Sequence, residues 1–197
     1  MQRSMALATP TSRFSDYVEL AKPRITLMVV LTTAAGFYLG ARPSVDFLAL
    51  LHTLLGTSLV ASAASALNQV LERDTDARME RTRTRPIPAG RIEPGTALGF
   101  GIALAIIGGV YLAAAVNVLT ATVGIVTLLL YVLVYTPLKR YSSLCTIVGA
   151  VPGALPPVMG WTAATGVLSA EAWVLFGILF FWQLPHFLAI AWNHRED

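Results

Sequence analysis

Asn68, Glu72 and Asp76 stand four residues apart in the run from Asn68 to Arg85, NQVLERDTDARMERTRTR. On a continuous helix that spacing keeps the three on one face, drifting by about 40° per step. Two carboxylates and an amide oxygen would then converge. Mg²⁺ takes such hard oxygen donors, commonly one or two carboxylates beside substrate phosphates. Asp74 points elsewhere on a regular helix. Arg78, Arg81, Arg83 and Arg85 follow at once, Arg81 and Arg85 again four apart. Arginine suits bidentate binding of phosphate oxygens. Together these residues describe a metal and diphosphate site. A solvated, self-compensating charged loop is the competing reading for Arg78, Glu80 and Arg83.

Two further groups bear on chemistry. YTPLKR carries Lys139 and Arg140, and the segment Lys22-Pro23-Arg24 is also basic. Either pair could anchor topology; convergence with the carboxylates would make Lys139 and Arg140 diphosphate ligands. Downstream, His186 and Trp182 lie in FFWQLPHFLAIAW, inside an uncharged run of 22 residues, Ala172–Asn193. An ionisable side chain at membrane depth points to function. His52 and His194 read as structural, and Cys145 as a buried inert thiol, no second cysteine being present for an internal disulfide.

The elements that must hold these groups are membrane helices. The 197 residues are 55% hydrophobic and 13% charged, with net charge +3 and mean hydropathy +0.66. Disorder, a coiled coil, a disulfide scaffold and nucleic-acid binding are all disfavoured. Runs without charge cover Ile25–Ala41, Phe47–Leu71, Pro94–Leu138, Tyr141–Ala170 and Ala172–Asn193. A span needs about 20 apolar residues, so four runs give one helix each and Pro94–Leu138 gives two, breaking near Val116–Asn117. The expected fold is an all-α polytopic membrane protein of six transmembrane helices, one domain over residues 1–197, around a central substrate cavity. Residues 1–22 form a cytoplasmic N-terminal segment and 72–95 a cytoplasmic substrate- and metal-binding loop. Residues 1–15 lack the apolar region of a cleavable signal peptide, so insertion falls to the first span. Of the 14 lysines and arginines, all but Arg42 fall on one side when the N-terminus is cytoplasmic. Gly36/Gly40, Gly95/Gly99 and Gly149/Gly153 have the small-xxx-small spacing of close helix packing. Pro152, Pro156 and Pro157 predict a broken, cavity-lining fifth span.

The strings LAKPRIT, ALNQVLERDTDARMERTRTRPIPAGRI, YTPLKR, GAVPGALPPVMGW and WQLPHFLAIAW carry a likeness over nearly the whole chain. Through them the sequence resembles the intramembrane (UbiA-type) prenyltransferases related to 4-hydroxybenzoate polyprenyltransferase, and within them the protohaem-farnesylating branch. That superfamily usually shows Asn-Asp-xxx-Asp-xxx-Asp; here Gln69 replaces the first Asp and Glu72 the second. The resemblance implies about nine helices and a second acidic motif, so this chain reads as the N-terminal part of a longer protein. It implies transfer of a farnesyl group from farnesyl diphosphate to a vinyl group of haem B. Asn68, Glu72 and Asp76 would hold Mg²⁺; Arg81, Arg85, Lys139 and Arg140 would hold the diphosphate; Trp182 and His186 would face the haem. It also implies a bacterial inner membrane, a cytoplasmic active site, and haem A synthase or terminal-oxidase assembly proteins as partners. The rivals are prenylation of a quinone or chlorin precursor and, from another class, a membrane transporter. A transporter predicts acidic residues near the bilayer midplane, whereas here they cluster at one end.

Overall fold

A computed structural model describes residues 13–41, 43–139, 141–142 and 144–193, apart from the side chains of 190, 191 and 193. Arg3, Arg42, Arg140, His194 and Arg195 lie outside the described residues. The described chain is helical between its turns. A short helix, α1 (Arg13–Ala21), is followed by α2 (Pro23–Gly40), α3 (Phe47–Asp76), α4 (Pro94–Ala115) and α5 (Val118–Leu129). A π-helical turn, Leu130–Tyr135, runs into α6 (Thr136–Leu138), and α7 (Cys145–Ala154), α8 (Pro156–Thr165) and α9 (Ala170–Asn193) complete the order. Six helical stretches are long and apolar enough to cross a membrane, as the uncharged runs predict.

The 30 residues of α3 make it about 45 Å long, more than the hydrocarbon core requires. Its start is fixed by Asp46, whose Oδ1 accepts from the backbone N–H of Leu48 and Ala49 at 2.9 and 3.0 Å. Its far end continues past the apolar run, so Asn68, Glu72 and Asp76 ride on a regular helix rather than in a loop. Beyond Asp76 the chain turns repeatedly through residues 77–92. Ile87 and Ile92 from this loop are buried with Leu20, Ala66, Val70 and Ala97, fastening the loop beneath α1 and the start of α4.

The main core joins α3, α4, α5 and α8 through Val60, Ala63, Leu112, Ala121, Leu128, Val132 and Met159. Helices α3 and α4 pair closely because Gly101 and Gly108 present bare backbone to Leu67 and to Leu59 and Val60. The break between α4 and α5 falls at Asn117. Its Oδ1 caps Thr120 N–H at 2.8 Å and its Nδ2 donates to the Thr162 carbonyl at 3.0 Å.

The fifth span is broken as its prolines predict. The chain bends at Leu155, with Pro156 opening α8 where its missing N–H costs nothing. It is the most deeply buried of the six spans, 61% against 11% for Ala170–Ala189. Gly36 packs on the Pro157 backbone, and Gly160 on that of Thr33 and Phe37. The break is therefore buried against α2. A cavity of about 310 Å³ lies elsewhere, among Val18, Ala21, Pro23, Thr26, Leu27, Val30, Ser58 and Ser62. Among the described residues the Gly95/Gly99 pair meets no neighbouring helix: a Cβ at Gly99 would find nothing within 4 Å, and one at Gly95 only its own turn's Glu93.

Candidate functional site

Each of the three oxygen donors read from the sequence is met by a cation from a different part of the chain. Asn68 Oδ1 accepts from Lys22 Nζ at 3.1 Å. Glu72 Oε1 accepts from Lys139 Nζ at 2.9 Å. Asp76 Oδ2 accepts from Arg85 Nη1 at 2.6 Å, with the Asp76 side chain only 5% exposed. One face of α3 thus carries a row of oxygens, capped by the α1–α2 junction, the end of α5–α6 and the loop. As the spacing predicts, the three residues ride on one helix, α3, and Lys139 and Arg85 each pair with one of them.

The cations are held by identifiable local structure. Lys22 has φ 47° and ψ 65°, the left-handed region, which a non-glycine residue adopts at a cost. Pro23 follows it and starts α2. The turn is supported by Gln69, whose Nε2 donates to the Leu20 carbonyl at 3.0 Å, while its buried Oε1 has no hydrogen-bond partner among the described residues. Burial pulls the Lys22 ammonium down to about 8, and nearby Arg85 adds to the effect while Glu72 opposes it.

Lys139 caps α6, the short turn that follows the π-helical segment, and lies 4.5 Å from the centroid of the Tyr135 ring. Burial alone would lower the Lys139 ammonium, but Tyr135 and Glu72 outweigh it and raise it above the ordinary lysine value. Gly149 leaves room for the Tyr135 ring, which a Cβ there would approach to 2.5 Å.

The loop is braced by Arg91, which was not among the sequence candidates. Its Nε donates to Asp16 at 2.7 Å, its Nη2 to Glu19 at 2.6 Å and its Nη1 to the Thr84 carbonyl at 2.8 Å. Arg81 is exposed on this loop, and Arg83 pairs with Glu80 at 3.0 Å. Arg140 lies outside the described residues. His186 and Trp182 are exposed on α9, their rings stacked at 4.8 Å; no described contact joins them to the oxygen row.

Lys22, Gln69, Thr136 and Arg91 complete the site without having been singled out for it. For Lys22 the signal was present, a lysine before a proline at a membrane boundary, and it reads equally well as a topology anchor.

The residues present fit a divalent cation. The donors are hard oxygens on consecutive turns, and each already binds a cationic nitrogen. Among the described residues no three His, Cys, Asp or Glu side chains gather as a metal site. The candidate set is therefore two carboxylates and one amide, the kind of donors that Mg²⁺ takes beside substrate phosphates.

Comparison with known proteins gives the chain's family and fold relatives. Residues 29–197 match the model of the UbiA prenyltransferase family. The chain is 50% identical over 191 residues to a protoheme IX farnesyltransferase of Solibacter usitatus, covering 92% of this chain and 65% of that protein. It is 49% identical over 191 residues to one of Opitutus terrae, covering 96% and 64%. Against the human mitochondrial protoheme IX farnesyltransferase it is 49% identical over 178 residues, covering 90% of this chain and 40% of that one. The chain spans just under two thirds of the length of the two bacterial relatives. In fold it is similar to a digeranylgeranylglyceryl phosphate synthase, with TM-score 0.80 at 17% identity over 94% of this chain and 65% of that one. It is also similar to a UbiA homologue from Archaeoglobus fulgidus bound to DMAPP and Mg²⁺, with TM-score 0.70 at 20% identity over 87% and 62%.

Proposed function

The chain belongs to the UbiA prenyltransferase family, and from that premise we propose that it carries the diphosphate half of a protohaem farnesyltransferase. The observation that carries the reading is the row of three oxygen–cation pairs on α3. Relatives about half identical over most of the chain bear the name of that activity, and two solved structures of the same fold were obtained with prenyl diphosphates and Mg²⁺.

Asn68, Glu72 and Asp76 would hold Mg²⁺, which supplies charge stabilisation at the departing diphosphate. Lys139 and Arg85, which stand beside those carboxylates, would then face phosphate oxygens. Lys22, which meets Asn68 on α3, joins them, and Arg81 and Arg140 are the further basic residues assigned to the diphosphate. These cations stabilise negative charge where it develops as the allylic C–O bond breaks, its electron pair leaving with the diphosphate. The vinyl π electrons of haem B form the new C–C bond, and water adds to the resulting cation and loses a proton. The net product is haem O and free diphosphate. Apolar helix walls keep water from the first cation.

The N-terminus is cytoplasmic on this reading, with the site on the cytoplasmic side of a bacterial inner membrane. Haem A synthase or terminal-oxidase assembly proteins are the fitting recipients of the product. The test is turnover by the intact detergent-solubilised enzyme with haem B, Mg²⁺ and farnesyl diphosphate. Mass spectrometry should report haem carrying one farnesyl group and one hydroxyl. Diphosphate release with a quinone precursor instead of haem would overturn the assignment in favour of the quinone branch.

A further inference from the structure

The geometry points to Thr136 as the residue that fixes which way the Asn68 carboxamide faces, and so as a positioning residue for the cation site; this rests on the functional reading above. Asn68 and Thr136 are 1% and 3% exposed, so the hydrogen bond between them has no water to replace it. A hydroxyl has one proton to give. That of Thr136 goes to the Tyr131 carbonyl at 2.8 Å, an atom that only accepts. Toward Asn68 the hydroxyl therefore offers only a lone pair, and Asn68 Nδ2 donates into it at 3.0 Å. With its NH₂ committed there, the carboxamide must turn Oδ1 the other way. On that side stands Lys22 Nζ at 3.1 Å, a group that only donates. Both neighbours demand the same orientation, and the atom it presents to the site is an oxygen, the one that a hard cation binds.

The local fold explains why Thr136 reaches α3. In the π-helical turn Leu130–Tyr135 the Thr136 N–H bonds back to Tyr131 O, five residues earlier. Pro137 follows, with no N–H and a ring that crowds a regular helix. The wider turn accommodates the ring and places the hydroxyl over the same carbonyl as the N–H. π-Turns of this kind recur at functional sites. Here the turn delivers Thr136 to Asn68 and, one turn on, Lys139 to Glu72.

The experiment uses the intact enzyme and reads binding of farnesyl diphosphate as a function of Mg²⁺ by calorimetry, beside turnover. Thr136→Val keeps the shape and removes the acceptor. It should raise the Mg²⁺ concentration for half-maximal binding by about tenfold, as loss of a residue orienting a metal ligand does. Thr136→Ser should stay close to wild type. In an Asn68→Ala background, Thr136→Val should change nothing further. The proposal is overturned if Thr136→Val binds like wild type, if Thr136→Ser is as impaired as Thr136→Val, or if Thr136→Val weakens binding equally with and without Asn68; a variant that merely misfolds gives that last result. Should wild-type enzyme bind Mg²⁺ and farnesyl diphosphate yet leave haem unmodified, the functional reading fails while the Thr136 result stands on binding alone.

Discussion

Lys139 Nζ donates to Glu72 Oε1 at 2.9 Å, so a residue read as a diphosphate ligand and one read as a metal ligand neutralise each other across the site. Arg85 and Asp76 repeat the arrangement at 2.6 Å one helical turn further on. The row is self-paired. On the proposed reading it would open by exchange: Glu72 and Asp76 would hold a divalent cation, leaving Lys139 and Arg85 to face the phosphates.

Glu72→Gln tests the exchange. The amide still accepts from Lys139 but binds a divalent cation poorly. Turnover should fall by roughly 100-fold or more, in the range seen when a charge-stabilising group is removed from an active site. Lys139→Ala should act mainly on the KM for prenyl diphosphate. Steady-state kinetics at several Mg²⁺ concentrations check both, and wild-type rates for Glu72→Gln at limiting Mg²⁺ remove it from the site.

The spans and the α3 oxygen row were legible in the sequence because both follow from periodicity. Uncharged runs of bilayer length give helices, and steps of four on a helix give one face. Arg91 and Thr136 were not legible, because their partners lie 75 and 68 positions away and no local pattern encodes such pairings. Lys22 was visible but ambiguous, since its reach depends on a left-handed backbone that sequence spacing does not reveal. Gly95 and Gly99 show the opposite failure: the right spacing, but among the described residues no other helix within 4 Å of either Cβ position.

The lowered Lys22 gives a pH signature in the metal-free protein. Its folded value of about 8 lies below the unfolded 10.5, so between these the unfolded chain binds more protons. Stability is therefore penalised below pH 8 and recovers as pH rises from about 8 toward 10.5. Thermal unfolding in detergent with EDTA should show that rise, and Lys22→Met should flatten it. An unchanged slope in Lys22→Met would mean that another group titrates.

Arg91→Ala should destabilise the protein rather than alter chemistry directly. It removes the arginine partner of Asp16, whose side chain is 6% exposed, together with the bond to the Thr84 carbonyl. Because Arg91 itself is 28% exposed, the expected loss is modest for a broken ion pair, about 1–2 kcal/mol. The α1 segment and loop 77–92 should both gain hydrogen exchange, since Arg91 joins Asp16 and Glu19 of α1 to the Thr84 carbonyl of the loop. Exchange confined to one of them would show that the brace is not shared.

Gly36→Ala separates packing from composition. A Cβ at Gly36 would collide with the Pro157 carbonyl oxygen, a backbone atom that cannot swing away. The α2–α8 contact must open, at a cost of about 1–3 kcal/mol typical of overpacking. Gly99→Ala, with nothing within 4 Å of its Cβ, should be neutral or slightly stabilising. Melting of the two variants side by side checks the contrast, and equal losses would mean that helix propensity rather than packing decides.

His186 and Trp182 share one exposed face of α9 with their rings stacked at 4.8 Å and 18°. An imidazole held in an apolar setting is costly without a partner. On the functional reading that partner is haem. His186→Ala and Trp182→Ala in the intact enzyme should then both weaken haem binding, while leaving Mg²⁺-dependent binding of farnesyl diphosphate intact, because neither touches the α3 row. A change in the haem absorption spectrum with His186→Ala identifies an iron ligand through a ring nitrogen. An unchanged spectrum with weaker binding identifies a hydrogen-bond donor to a propionate. Unchanged haem affinity with a lower melting temperature makes the pair a packing feature of α9 and takes both residues out of the site.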